Sequence, residues 1–237
     1  MSVSQSRRTV SVIIPCYNEE RTVEELLRRL QAAPIPSGWG KEIIIVDDAS
    51  RDGTRNILKR YEREMRVIYC EQNGGKGTAL RRGIEDATGE YVLIQDADLE
   101  YDPVDIAALL AAVDGGTADV VYGSRNLSPR TRHGGLLARL GVWFITKLIN
   151  LLYGLSLTDV WTCYKLFPRA AAGDLRAGRF ESELLFTAAL ARRGYRFVEV
   201  PISYSPRAVA EGKKIRYRDG IQAIIVIVWD WLRHLSP

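Results

Sequence analysis

Four short apolar runs, Val10–Pro15, Glu42–Val46, Val67–Cys70 and Tyr91–Gln95, divide the first part of the chain, and the stretches between them carry apolar residues at helical spacing. Within Glu19–Ala32, Val23, Leu26, Leu27 and Leu30 recur among charges. A second helix is expected from the turn Asp52–Gly53–Thr54 to about Glu64, and a third over Thr78–Ala87, after a flexible basic loop Asn73–Gly77. Pro34–Gly40 reads as loop. A helix over Val104–Val113 and a strand over Asp119–Tyr122 extend the series, and near Asn126 the alternation stops. Strand–helix alternation restricts the fold to α/β, a mostly parallel Rossmann-like central sheet with flanking helices and right-handed crossovers. A chain of 237 residues buries enough core for one such domain or two small ones.

The run Val92–Glu100 adds chemistry to this frame. An apolar strand ends in Asp96, Asp98 and Glu100, two residues apart, and strand geometry sends alternate side chains to one side. Open α/β sheets bind ligands at the carboxyl ends of their strands. Hard divalent cations take oxygen ligands and commonly bridge one or two carboxylates to substrate phosphates. The pattern therefore reads either as a metal site for a diphosphate or as a solvated acidic turn. Asp47 and Asp48 end another strand; one of the two is expected to cap the following turn, the other to accept from a nucleobase or ribose.

Net charge +4 and a pI near 9.0 suit anionic ligands or an anionic membrane surface. No zinc-finger spacing or RNA-binding aromatic signature is present, so nucleic acid is not expected as a partner. Cys16, Cys70 and Cys163 form no C-x-x-C pair, which points to a reducing compartment. His133 and His234 cannot build a histidine-rich metal site. Residues 1–9 read as a disordered polar tail without a signal-peptide core, and no apolar run approaches the ~20 residues a spanning helix needs.

Leu136–Tyr153 holds only two charges, Arg139 and Lys147. Arg139, Thr146 and Asn150 make one narrow stripe and nearly all else is apolar, which fits either core or a membrane interface. Residues 221–237 read as a C-terminal apolar helix whose Trp229, Trp231 and Arg233 could lie at headgroup level, cap the core or dimerise. Lys76 in its glycine-rich loop, Arg125 after a strand, and Arg207 with Lys213 and Lys214 in a late loop are candidate phosphate contacts; the alternative is solvated basic loops.

Thr9–Glu20, Ile44–Ser50 with Asp52–Gly53–Thr54, and Asp96–Ala97–Asp98, in this order, resemble the family 2 glycosyltransferases. Asn73–Ala79, Gly123–Ser124–Arg125, Leu157–Thr158–Asp159, Thr162–Lys165, Glu199–Ile202 and Glu211–Lys214 are similar to segments of the dolichol- and polyprenol-phosphate sugar synthases. The resemblance implies a GT-A domain over 10–220, with a donor half over about 10–125 and an acceptor half over about 126–220 sharing one sheet. It implies that Pro15, Tyr17, Glu19 and Asp48 cradle the nucleoside and that Lys76 lies near base or ribose. Asp96, Ala97 and Asp98 would hold the diphosphate through Mg²⁺ or Mn²⁺, with Glu100 completing the metal shell. Arg125 and Arg207 would contact donor or acceptor phosphates, Lys213 would belong to a closing loop, and Arg139 is the counterpart of an acceptor-phosphate arginine. Thr162–Cys163–Tyr164–Lys165 departs from the Thr-Ser-Gly-Phe-Arg pattern of the mannosyltransferases, which leaves sugar and acceptor open.

The implied reaction is inverting transfer of a sugar, mannose or glucose expected, from a GDP- or UDP-linked donor to a polyprenyl phosphate at the cytoplasmic face of a membrane. Such an acceptor is already anionic and needs no strong base. With a hydroxyl acceptor instead, Glu181 or Glu183 is the candidate base. A nucleotide-sugar binding protein without catalysis is the third reading. Whether the chain works as a homo-oligomer or with a membrane partner subunit stays open.

Overall fold

The computed structural model describes residues 8–129, 136–175, 181–207 and 217–234. β1 (Arg8–Cys16) begins inside the segment expected to be a tail, because Arg8 and Thr9 pair with Trp39 and Gly40 of β2 (Trp39–Asp47). The two strands are parallel and in register to their ends, where Cys16 faces Asp47. Val10, Val12, Ile13 and Ile14 are all buried, as expected for a strand covered on both faces. α1 (Val23–Ala32) connects them and buries Val23, Leu26, Leu27 and Leu30. Each such side chain contributes about 1.5–3 kcal/mol by leaving water.

α2 (Thr54–Leu58) is shorter than expected, and its pattern continues as a 3₁₀ turn over Lys59–Tyr61. β3 (Arg66–Tyr69) pairs with β2, and α3 (Lys76–Glu85) leads to β4 (Tyr91–Ile94), which pairs with β1 on its free side. α4 (Ile106–Asp114) precedes β5 (Val120–Ser124), and α5 (Leu136–Tyr153) precedes β6 (Lys165–Pro168). Then follow α6 (Glu181–Arg192), β7 (Phe197–Pro201) and α7 (Tyr217–Arg233).

The sheet order is β3-β2-β1-β4-β6-β5-β7. All pairs are parallel except those of β6, which lies antiparallel between β4 and β5. The chain leaves β1 towards β2 and β3, then crosses back to place β4 on the other side. The gap above the carboxyl ends of β1 and β4 is therefore the topological switch point at which open sheets bind ligands.

One apolar layer, with Ile14, Leu26, Leu93, Leu109 and Val121, covers one face of the sheet; a second, with Ile13, Leu80, Val92, Phe167 and Phe186, covers the other. In the second layer α7 packs against α5 and α6, tied by Asp230, which accepts from Tyr153 Oη at 2.9 Å and from Arg192. α5 divides between the two readings of its apolar surface, with Ile145 and Ile149 in the core and other apolar residues facing outward. Thr146 is buried and Asn150 exchanges two hydrogen bonds with the Leu157 backbone, while Leu140, Trp143, Phe144 and Leu151 are more than half or about half exposed. α7 likewise exposes Ile221, Ile225, Trp229 and Leu232. Among the described residues no helix is long and apolar enough to cross a membrane.

Candidate functional site

Three loops at the switch point carry the acids, and each turns through a non-glycine residue with left-handed backbone: Asn18 (φ 54°) after β1, Ala49 (φ 60°) after β2 and Leu99 (φ 62°) after β4. Such conformations are costly and persist only where the surroundings enforce them. Asn18 is tied across, its side-chain oxygen accepting from Arg51 N–H at 2.8 Å and its own N–H donating to Ser50 Oγ at 2.9 Å.

Asp47 and Asp48 divide the work. Asp47 is fully buried; it accepts from Ser50 N–H and from Arg55 Nε at 2.6 Å. Asp48 accepts from Gly74 and Gly75 N–H, both at 2.8 Å, and so pins the segment ahead of α3. Gly75 (φ 84°, ψ 167°) occupies backbone space open essentially only to glycine. Lys76 is consequently the first residue of α3 and not part of a flexible loop. Its ammonium lies 2.6 Å from Asp96 Oδ1 and 2.9 Å from Glu183 Oε1. Burial alone would lower its pKa, but Asp96, then the Cys163 thiol and Glu183, raise it well above the ordinary lysine value.

Asp96, Asp98 and Glu100 do not share one strand face. β4 ends at Ile94, and the left-handed turn at Leu99 breaks the alternation before Glu100. Glu100 points instead at the segment after β7, accepting from Tyr204 Oη at 2.7 Å and from Arg207 N–H at 2.9 Å. That segment brings Arg207 between Asp98 Oδ2 (2.9 Å) and Glu19 Oε2 (3.0 Å). Burial pushes the Asp98 carboxyl up to about 7, the charges of Asp96 and Glu100 push the same way, and Arg207 opposes them.

Among the described residues no group of three or more His, Cys, Asp or Glu is arranged to hold a metal ion. The expected complete shell of Asp96, Asp98 and Glu100 is therefore absent, because Glu100 is committed to Tyr204 and Arg207. The remaining donor chemistry fits a divalent cation shared with a diphosphate, which needs only one or two carboxylates from the protein. Asp96 and Asp98, 16% and 14% exposed, are two carboxylates of this kind side by side at the switch point.

Arg125 lies apart from the acids. It grips Asp159 through Nε (2.6 Å) and one terminal nitrogen (2.8 Å), donates to the Trp161 carbonyl, and stacks 4.9 Å over the ring of Tyr204. Tyr204 thus links it to Glu100. Arg139 is exposed on α5. Pro15 and Tyr17 are half-buried at the end of β1, and Ala97 is buried between the two aspartates. Lys213 and Lys214 lie outside the described residues, as does His133.

Sequence reasoning missed Tyr204, whose hydroxyl joins Glu100 from a segment 104 residues later, and missed Asp159 as the partner of Arg125. An acid between Leu157 and Val160 was the available signal for Asp159. Glu183 was weighed as a base, but its two oxygens face Lys76 at 2.9 Å and Lys165 at 3.3 Å, which ties up both in ion pairs.

A doubly covered sheet with acids and cations gathered at its switch point defines a GT-A-type fold. The chain belongs to the family 2 glycosyl transferases: the model of Glycosyl transferase family 2 matches residues 11–176. The dodecaprenyl-phosphate galacturonate synthase of Rhizobium johnstonii is 31% identical over 67% of this chain and 47% of its own length. The undecaprenyl-phosphate 4-deoxy-4-formamido-L-arabinose transferase of Shewanella sediminis is 28% identical over 100% of this chain and 69% of its own. The chain thus spans about half the length of the first relative and about two thirds of the second. An uncharacterized glycosyltransferase of Mycobacterium bovis is 31% identical over 96% of this chain and 98% of its own. Among solved structures, glucosyl-3-phosphoglycerate synthase of Mycobacterium tuberculosis, in complex with Mn²⁺, UDP and glucosyl-3-phosphoglycerate, superposes with a TM-score of 0.71. The match covers 94% of this chain and 80% of that one at 22% identity, a likeness of fold.

Proposed function

We propose that this protein transfers a sugar, with inversion, from a nucleoside diphosphate sugar to a polyprenyl phosphate at a membrane surface, with Mg²⁺ or Mn²⁺ as cofactor. The observation that carries the donor half of this reading is the acid pair Asp96 and Asp98 at the switch point, each matched by a cation, Lys76 and Arg207. Asp98 with Asp96 would hold the metal; Pro15, Tyr17, Glu19 and Asp48 lie on the neighbouring loops where a nucleoside would rest. A divalent cation bound there supplies electrostatic stabilisation of charge developing on the leaving diphosphate. Arg207 and Lys76 add positive charge beside the same group.

The acceptor half rests on two features. Glu183, one of the two candidate bases for a hydroxyl acceptor beside Glu181, is held between two ammonium groups, whereas a phosphate acceptor needs no base. Its anionic oxygen attacks the anomeric carbon as the bond to the donor phosphate breaks, and the nucleoside diphosphate leaves. Secondly, α5 and α7 expose Trp143, Phe144, Trp229 and neighbouring aliphatic residues together with Arg139, Lys147 and Arg233, whose guanidinium stacks 4.1 Å over Trp229. Amphipathic helices of this kind lie in the headgroup region of anionic bilayers. Peripheral association with the cytoplasmic leaflet follows from this reading.

The test is transfer of label from a panel of nucleotide sugars, uronic and amino sugars as well as hexoses, into an organic-extractable product in vesicles containing polyprenyl phosphate. Metal-dependent lipid label is expected, and the panel names the donor. Release of nucleoside diphosphate without lipid label would move the acceptor to a hydroxyl.

A further inference from the structure

Lys76 stands between carboxylates from distant parts of the fold. Asp96 follows β4, while Glu183 lies in the first turn of α6, in the part of the chain after the donor strands. Glu183 is itself oriented by Lys165, whose ammonium lies 3.3 Å from its second oxygen and donates to the Thr162 carbonyl at 2.7 Å. The side chains are almost out of solvent, 16% exposed for Asp96, 10% for Lys76, 6% for Glu183 and 1% for Lys165. Two acids and two lysines leave the cluster neutral. In such a setting charges act strongly on their neighbours, and an ammonium shared by two carboxylates is divided between them.

We propose that Glu183 is a positioning residue that acts through Lys76 to set how available Asp96 is to a divalent cation. The inference rests on the reading that Asp96 helps hold a metal bound to a nucleoside diphosphate. Lys76 and the metal draw on the same carboxylate, so Asp96 coordinates fully only as Lys76 loosens from it. Glu183 draws Lys76 the other way. Helix α6 thereby tunes metal loading at β4 without touching metal or donor. Removing the Glu183 charge leaves Lys76 to Asp96 alone and weakens metal binding. Without Lys76, Glu183 has no path to Asp96 and its removal has little further effect.

The experiment is a double-mutant cycle on the full chain, reading Mn²⁺ affinity by electron paramagnetic resonance with whichever of UDP or GDP the wild type binds. E183Q is expected to weaken Mn²⁺ binding about tenfold in the wild-type background and less than about twofold in the K76M background. E183D, which keeps the charge but shortens the reach, is expected to weaken it in the same direction. It replaces E183Q in the cycle if thermal melting shows that E183Q does not fold. An equal loss in both backgrounds would overturn the proposal, because a general field or a purely structural role gives that result. Failure of the wild type to bind Mn²⁺ with either nucleotide would overturn the metal reading and this inference with it. Wild-type binding combined with an equal loss would overturn the inference alone.

Discussion

Asp98 and Asp159 are both acids gripped by arginines, the first 14% exposed and the second fully buried, and their substitution has opposite signatures. Burial, with the charges of Asp96 and Glu100, disfavours the Asp98 carboxylate, so D98N relieves that cost while removing an oxygen proposed to hold the metal. Its expected effect is a loss of about 10²–10³-fold in kcat/KM for sugar transfer with little change in melting temperature, measured by initial rates and thermal denaturation. Asp159 is fully buried and binds the Arg125 guanidinium bidentately. D159N leaves that guanidinium uncompensated, and urea unfolding should report a loss of about 3–5 kcal/mol. The acids after β4 were legible in the sequence because an apolar run ending in D-x-D is local. The grip on Arg125 was not, since its partner stands 34 positions away and nothing local distinguishes a phosphate-binding arginine from a salt-bridged one.

At the scale of elements, α3 decides where Lys76 goes. Two glycines let it do so. Gly75 enters the helix through a glycine-only conformation, and G75A should cost about 1–3 kcal/mol. The same substitution should also weaken nucleotide binding, read by titration calorimetry, because the Asp48 clamp on this segment shifts. Gly83 lets α3 settle on the sheet, since a Cβ there would come within 2.6 Å of Ile13 Cγ2 and 3.0 Å of Val46 Cγ2. G83A should therefore lower stability by about 1–3 kcal/mol, seen as a lower midpoint in urea, without a direct effect on the acids. The existence of α1, α3 and α4 and of the first five strands followed from apolar periodicity. Their ends did not: β1 gained Arg8 through pairing with β2, and α2 stopped early. The orientation of α5 also escaped, because an apolar helix with one polar stripe can turn either side inward. Here Asn150 and Thr146 satisfy backbone groups in the interior beside the buried Ile145 and Ile149, and Leu140, Trp143, Phe144 and Leu151 are left on the outer side.

That outer side is a property of the whole molecule, since it depends on how α5, α6 and α7 pack together. Replacing Trp143 and Trp229, both more than half exposed, by glutamate should leave the melting temperature nearly unchanged, surface substitutions costing within ~0.5 kcal/mol each. Sedimentation with anionic vesicles should fall at least about tenfold, while Mn²⁺ and nucleotide binding persist; unchanged sedimentation would separate this face from the membrane. The amino-acid sequence by itself determined the α/β class, the mostly parallel character of the sheet, the family and the positions of the acids. These are carried by local periodicity and contiguous motifs. Only the tertiary structure decided that β6 inserts antiparallel between β4 and β5, that Tyr204 and Arg207 return to the acids of β4, and that Glu183 meets Asp96 through Lys76. Each of these joins residues far apart in the chain, and their choice of partner is set by which charges and strand edges remain unmatched once the core has closed.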